Sequence, residues 1–377
     1  MMFEKKAKIV MVAMFRNESA VMRRMLESCY KYIDYWVIQN NGSTDGTDQI
    51  VKDFFKEHPV PGVLYDVEEG WVGFGWNRDH LIQKCQSIDH SCDWILKMDC
   101  DEVLEVDDDF DWSLLEDKSI FAFNVPAVYG NSTYFRAWLW NADIPWRFNH
   151  DPCHETIYCS REGIGENFER KNLPNKIRQI GFSEGQSWQN PTKFITDALK
   201  LEERLIREDT ILTDTYHFWY IGKSYFDACF HAKFPLGESQ KKEYARRTIY
   251  YFEEYVKEIH KFNTVKENNI HEMSYMALLF TAECYSYLEQ YQAAEMMLKF
   301  AEDFAPKRNE HLVSLAHVYE RIKDYDRMFA VTKRLISTDR KNPFPEYSVV
   351  IDNNAYYDTG DYVKELHKKA LSYILQN

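Results

Sequence analysis

Through its first hundred residues the chain alternates short apolar runs with polar loops and helical patterns, an order that few architectures accept. Lys8–Phe15 (KIVMVAMF) is a continuous apolar run of strand length, and the polar Arg16–Ser19 follows it before a helical pattern over Ala20–Tyr32. Tyr35–Gln39 repeats the strand and closes on Asn40–Thr47, a loop rich in turn formers and helix caps that leads into a helix from Gln49 to Glu57. A third strand, Val63–Val67, precedes the glycine- and aromatic-rich Glu69–Asp79 and a helix ending near Cys85; a fourth strand starts at Trp94. Such alternation predicts an α/β fold: a mostly parallel sheet with helices on both faces, joined by right-handed crossovers. In such a sheet the ligand site lies beyond the carboxyl ends of the strands.

The fourth strand ends in acid. Trp94–Met98 runs into Asp99, Cys100, Asp101 and Glu102, three carboxylates within four residues. If the strand continues, alternate residues share a side, so Asp99 and Asp101 face one object while Cys100 turns away. Carboxylates pushed into a cleft call for a positive partner. Two oxygen ligands with open positions suit Mg²⁺ or Mn²⁺, which keep water and are shared with substrate phosphates. On its own the motif also reads as a solvated acidic strand end, so its neighbours have to decide. No G-x-G-x-x-G follows the first strand and no G-x-x-x-x-G-K-[ST] occurs, which disfavours a dinucleotide-binding domain and a P-loop enzyme.

Composition narrows the classes further. Of 377 residues, 45% are hydrophobic and 16% aromatic, which excludes a disordered chain and allows two domains. A net charge of -14 with no offsetting basic tract disfavours broad binding to nucleic acid or anionic membrane. No apolar run approaches the roughly 18 residues of a membrane span, and Ile9–Phe15 is too short for a signal segment. Eight scattered cysteines without a C-x-x-C pair fit reduced thiols, so a cytoplasmic protein is expected.

Four motifs in order then carry a resemblance: Arg16-Asn17-Glu18, Asn41 to Thr47, Trp71 with Phe74 and Arg78, and Asp99-Cys100-Asp101-Glu102. The set resembles the family 2 glycosyltransferases of GT-A fold. The resemblance implies a nucleotide-sugar donor, UDP-linked by preference, bound by Phe15, Arg16, Asn17, Glu18, Asn40, Asn41, Ser43, Asp45, Arg78, Asp99 and Cys100. It also implies a Mn²⁺ or Mg²⁺ ion bridging Asp101 and the donor diphosphate, with Asp99 beside it. One position departs from the family: Asn40 stands where it usually has Asp, at a place associated with the donor base. An Asn carbonyl still accepts a hydrogen bond from a uracil N–H. Downstream, Ile120–Val128 reads as a strand, and Trp146–Glu155 resembles a segment of the family's relatives with helical tails. There His154 is a third candidate metal ligand or diphosphate contact, and Glu155 and Asp151 are candidate general bases. The expected activity is a metal-dependent, inverting sugar transfer to an acceptor that is a peptide, protein or glycan. A nucleotidyltransferase, or transfer to a modified nucleic-acid base, is the alternative.

From Phe194 onward the pattern is helical. Asp197–Arg207 is amphipathic, and Tyr216–Cys229 follows at helix spacing. Ala282, Tyr285, Leu288 and Tyr291 recur as Ala316, Tyr319, Ile322 and Tyr325, an offset of 34 residues that matches the tetratricopeptide period, with Pro306 between the copies. Tyr216–Val256 and Ala355–Leu375 are candidate flanking pairs. The expected domains are 1–205, the GT-A sheet, and 206–377, an all-α tetratricopeptide-like array that either covers apolar faces or holds the acceptor.

Overall fold

The expected alternation is present. In a computed structural model the chain opens with β1 (Ile9–Phe15), α1 (Met22–Cys29), β2 (Tyr35–Asn40), α2 (Thr47–Glu57), β3 (Gly62–Asp66), α3 (Phe74–Gln86) and β4 (Trp94–Lys97). The structure describes residues 6–130, 132–166, 168–207, 215–231, 235–262, 268–306, 308–337, 351–352 and 360–376. Two compact units result: Met1–Gly130 with Tyr134–Asn190, and Asn131–Thr133 with Pro191–Asn377.

In the first unit, β5 (Glu102–Val106), β6 (Ala122–Tyr129), β7 (Ser132–Asn141), β8 (Trp146–Phe148), β9 (Ile157–Cys159), β10 (Arg170–Asn172) and β11 (Ile177–Gly181) follow, with a short α4 (Gln186–Gln189). The large sheet has the order β3-β2-β1-β4-β7-β6-β11-β5, with β10 on β6. Strands β3, β2, β1 and β4 are parallel; β7 joins β4 antiparallel, and β5 joins β11 antiparallel. The sheet is therefore mixed beyond its parallel core.

Burial on both faces explains why β1 reads as an unbroken apolar run. Ile9, Met11, Ala13 and Phe15 pack with Leu26 of α1 and Phe54 of α2, while Val10 and Val12 pack with Leu81 and Ile82 of α3 and with Trp140. Register then sets the site: Phe15 lies opposite Asn40, and Asn40 opposite Asp66, so three carboxyl ends stand abreast.

Two expectations are corrected. Strand β4 stops at Lys97, and residues 98–101 form a turn before β5 starts at Glu102, so the strand alternation assumed for Asp99 and Asp101 does not apply. The other concerns the domain boundary expected after residue 205. α5 (Lys193–Arg207), assigned above to the sheet, belongs to the helical unit, because its apolar stripe of Ala198, Leu201 and Leu205 is buried and the helix packs on α6 (Thr215–Phe230).

α7 (Glu238–Phe262), α8 (Asn268–Tyr287), α9 (Tyr291–Phe304), α10 (Glu310–Arg321), α11 (Tyr325–Ser337) and α12 (Gly360–Gln376) continue the helical unit. The 34-residue repeat is structural. Ala282 and Tyr285 sit on α8, and Ala316 and Tyr319 on α10, with Tyr291 and Tyr325 opening the next helices. Both helices end the same way: Gln290 N donates to Tyr285 O at 2.8 Å and Asp324 N to Tyr319 O at 2.9 Å. The residues at the bend, Glu289 and Lys323, have φ of 61° and 59°. This is a left-handed helix stop usually given to glycine, here built twice from other residues. Of the terminal pair expected from Ala355, only α12 is described; residues 353–359 lie outside the described residues.

Candidate active site

Two loops are stitched together at the ends of β1 and β2. Asn17 takes a left-handed backbone (φ 58°), which Asn tolerates better than most residues. Its N–H donates to Ser43 Oγ at 2.9 Å, and its side-chain carbonyl accepts from Thr44 N at 2.8 Å. Glu18 N donates to Thr47 Oγ1 at 3.0 Å and Ser19 N to Asp45 Oδ2 at 2.9 Å. Burial opposes ionisation of Asp45, but hydrogen bonds from Thr47 and Ser19 win and hold its carboxyl down at about 2.

Asn40 is committed at both ends. Its amide donates to Asp66 Oδ1 at 2.6 Å, and its carbonyl accepts from Ser43 N at 3.0 Å. Asp66 itself is exposed. Asn41 accepts from Gln39 Nε2 at 2.7 Å and from Asn77 Nδ2 at 2.8 Å. Asn77 in turn pins the Gly70–Gly73 loop by accepting from Val72 N and Gly73 N and donating to Gly70 O. Phe15 is core, Arg16 is exposed, and Cys100 is buried with its thiol towards Met14 O.

The acids separate into two groups. Asp101 Oδ2 accepts from Glu184 N and Gly185 N, each at 3.1 Å, and Glu18 Oε1 accepts from Gln186 N at 2.9 Å. A Cβ on Gly185 would stand 3.3 Å from the Asp101 carboxylate and 3.4 Å from that of Glu18, so both acids converge on Gly185. Burial, with Asp101 and Asp45 nearby, pushes the Glu18 carboxyl up to about 7; burial and Asp99 push that of Asp101 above its ordinary range.

Asp99 belongs to the second group. Lys97 Nζ lies 2.9 Å from its Oδ2, an ion pair without the alignment of a hydrogen bond, and Arg78 lies 3.2 Å from its Oδ1. Burial works against ionisation here too, but these two cations outweigh it and hold Asp99 below the usual carboxylate range. Arg78 also pairs with Glu155. Glu102, fully buried, accepts from Arg136 at 2.7 Å and from the Tyr129 hydroxyl, and its other oxygen accepts from Asp99 N at 3.2 Å. Three cations and three carboxylates thus balance in a largely buried network. Removing one partner from such a network typically costs about 3–5 kcal/mol, since it leaves a charge uncompensated. A narrow cleft opens beside it, lined by Val12, Met14, Arg78, Lys97, Asp99 and Phe148.

The 149–155 segment is held against α3. Asp79, buried, takes a two-point hydrogen bond from Arg147 at 2.8 and 2.7 Å and another from Phe148 N at 2.8 Å. Gly75 N donates to Asp151 O, and any Cβ at Gly75 would fall 2.2 Å from Asn149 O, so this approach requires glycine. The carboxylate of Asp151 is buried and accepts from Asn149 at 2.6 Å. His154 sits at φ 57° in the same segment.

The expected metal set of Asp99, Asp101 and His154 is not gathered: among the described residues no group of three His, Cys, Asp or Glu side chains is placed to hold an ion. The turn at 98–101 sends Asp99 towards Arg78 and Lys97 and Asp101 towards Gly185. Half-buried Glu18 and buried Asp101, both beside Gly185, still fit a hard divalent cation in charge and donor type, provided it keeps water and shares donor phosphates. Sequence reasoning placed Glu102 in the acidic motif without giving it a role, and missed Lys97, Arg136, Trp138 and Asn77 as candidate site residues. One signal was legible: Lys97 is the only charge in an otherwise apolar strand run, which in a buried strand requires a partner.

Residues 10–111 match the family model described as glycosyl transferase family 2. The sheet unit carries a family 2 glycosyltransferase domain. The match covers β1 to β5 and so includes both stitched loops, Arg78 and the acidic turn; the rest of the chain lies outside the match. No curated protein matches the chain. Among solved structures, S. aureus TarS 1-349 matches with 13% identity and a TM-score of 0.34, over 89% of this chain and 93% of that one. A mannosyltransferase, PcManGT from Pyrobaculum calidifontis, solved with GDP-Man and Mn²⁺, matches with 11% identity and a TM-score of 0.36, over 70% and 91%. A thermophilic tetratricopeptide protein of Thermus thermophilus matches with 14% identity and a TM-score of 0.28, over 48% and 82%. Likenesses this distant carry no argument about activity or substrate. No helix among the described residues is long and apolar enough to cross a membrane.

Proposed function

We propose that this glycosyltransferase moves a sugar from a UDP-linked donor to a glycan or protein acceptor, with inversion, and with Mn²⁺ or Mg²⁺ bound at Asp101 and Glu18. The observation that carries the reading is the convergence of Glu18 and Asp101 on Gly185 beyond the carboxyl ends of β1 and β4, inside the family 2 segment. Two carboxylates driven upward by burial and by neighbouring acids, Asp101 and Asp45 for Glu18 and Asp99 for Asp101, would lose that penalty on binding a divalent cation. When bound, the ion supplies electrostatic stabilisation to the departing diphosphate.

The protein's own residues do the rest. Asn17, Ser43 and Asp45 keep the two loops in one shape, and Arg78 with Lys97 keeps Asp99 ionised. The Asn40 carbonyl is already engaged by Ser43 N, and its amide anchors Asp66, whose exposed carboxylate supplies from β3 the acid that position 40 lacks. A carboxylate there accepts the imide N–H of uracil. Of the two candidate bases, Glu155 is joined through Arg78 to Asp99, whereas Asp151 is tied to Asn149. We therefore assign the acceptor proton to Glu155.

A panel of nucleotide sugars tests the reading. With Mn²⁺ and no acceptor, UDP-sugars should show slow hydrolysis and raise the melting temperature, and a chelator should remove both effects. Response to GDP-sugars alone would overturn the base assignment, and no response to any nucleotide sugar would overturn the donor site.

A further inference from the structure

Lys97 is the least expected residue of this unit. It ends β4, is 4% exposed, and stands where the sequence reads as apolar strand. Its ammonium lies 3.2 Å from the ring centre of Trp138, which sits on β7 one step beyond the last paired residues, Leu96 and Leu139. The guanidinium of Arg136, two residues away on the same strand and so on the same side of the sheet, lies 3.3 Å from a Trp138 ring centre. Two buried cations therefore share one indole. Each is also paired with an acid at or just after the 98–101 turn, Lys97 with Asp99 and Arg136 with Glu102.

We infer that Lys97, seated on the indole of Trp138, is a positioning residue that sets the orientation of Asp99 for donor binding. A buried lysine on a flexible stem would otherwise have several places to put its charge, and the aromatic face removes that freedom. Arg78 reaches Asp99 from α3 and Lys97 from β4, so the carboxylate is held from two elements, one oxygen each. With Asp99 so held, its own N–H is left aligned on Glu102 and the turn that carries Asp101 keeps one shape.

This inference rests on the reading of the site as a nucleotide-sugar donor site. The test is isothermal titration with UDP and with GDP, each in MnCl₂, on the full chain. Lys97→Met should weaken nucleotide binding about tenfold or more, and Lys97→Arg, which keeps a cation able to lie on the indole, should restore most of it. Trp138→Leu should behave like Lys97→Met, and Trp138→Phe should stay within about threefold of the unmodified protein. If the Lys97 variants do not fold, the Trp138 pair decides alone. Unchanged affinity in folded Lys97→Met or Trp138→Leu, with only a lowered melting temperature, would overturn the inference and reduce both residues to core. If the unmodified protein binds neither nucleotide, the donor-site reading falls and takes the inference with it.

Discussion

Single side chains here are set more by their charged neighbours than by their motif. Asp101 and Glu18 both carry like charge close by and backbone donors on one side only, so each is a residue that gains from a cation. Asp101→Ala is expected to abolish turnover and the Mn²⁺-dependent part of UDP binding while the melting curve stays near that of the unmodified protein, because the residue lies in a turn outside the core. Full activity of this variant in chelator would remove the metal from the mechanism. Glu155 and Asp151 separate by the same logic. Glu155→Gln should lower kcat by about 10²-fold with little change in donor affinity, since it keeps shape and loses basicity, and Asp151→Asn should do much less. Steady-state kinetics on both variants settles the order; the reverse order moves the base to Asp151.

The elements follow their sequence patterns closely where both faces of a strand are buried and less well where a turn intervenes. The run Trp94–Met98 was legible as a strand, yet its end was not, because Asp99 is fixed by an ion pair to Arg78 of α3 and Lys97 by the Trp138 ring of β7, contacts that local pattern does not encode. In the helical unit α10 carries a testable group of its own. His311 is fully buried beside Tyr275, whose hydroxyl lies 3.1 Å from Nδ1. Burial pushes its imidazole down to about 4, against the opposing pull of Glu302. The unfolded chain therefore takes up a proton at higher pH than the fold does. Stability from this group is complete above about pH 6.5, falls as pH drops, and is fully lost below about 4, a swing of about 3 kcal/mol. Thermal melts of His311→Gln should lose less between pH 6.5 and 4 than those of the unmodified protein; parallel curves would contradict the assignment.

At the scale of the whole chain, the candidate donor-binding residues lie within the sheet unit and the 34-residue repeat within the helical one. Hydrogen exchange should register that division: UDP with Mn²⁺ is expected to slow exchange around residues 15–19, 40–47, 99–102 and 184–186, and to leave α9 to α11 unchanged. Protection confined to the helices would relocate the nucleotide site. The sequence alone determined the α/β order, the polar loops at the ends of β1 and β2, and the helical repeat, because burial pattern, turn formers and period are local properties written along the chain. Tertiary structure decided the rest. Whether Asp99 and Asp101 point together, that Asp66 stands beside Asn40, and that Arg136 and Trp138 complete the acidic turn all depend on pairings between strands far apart in sequence. Charge at a site is a sum over whatever the fold brings within a few ångströms, and no stretch of the chain contains that sum.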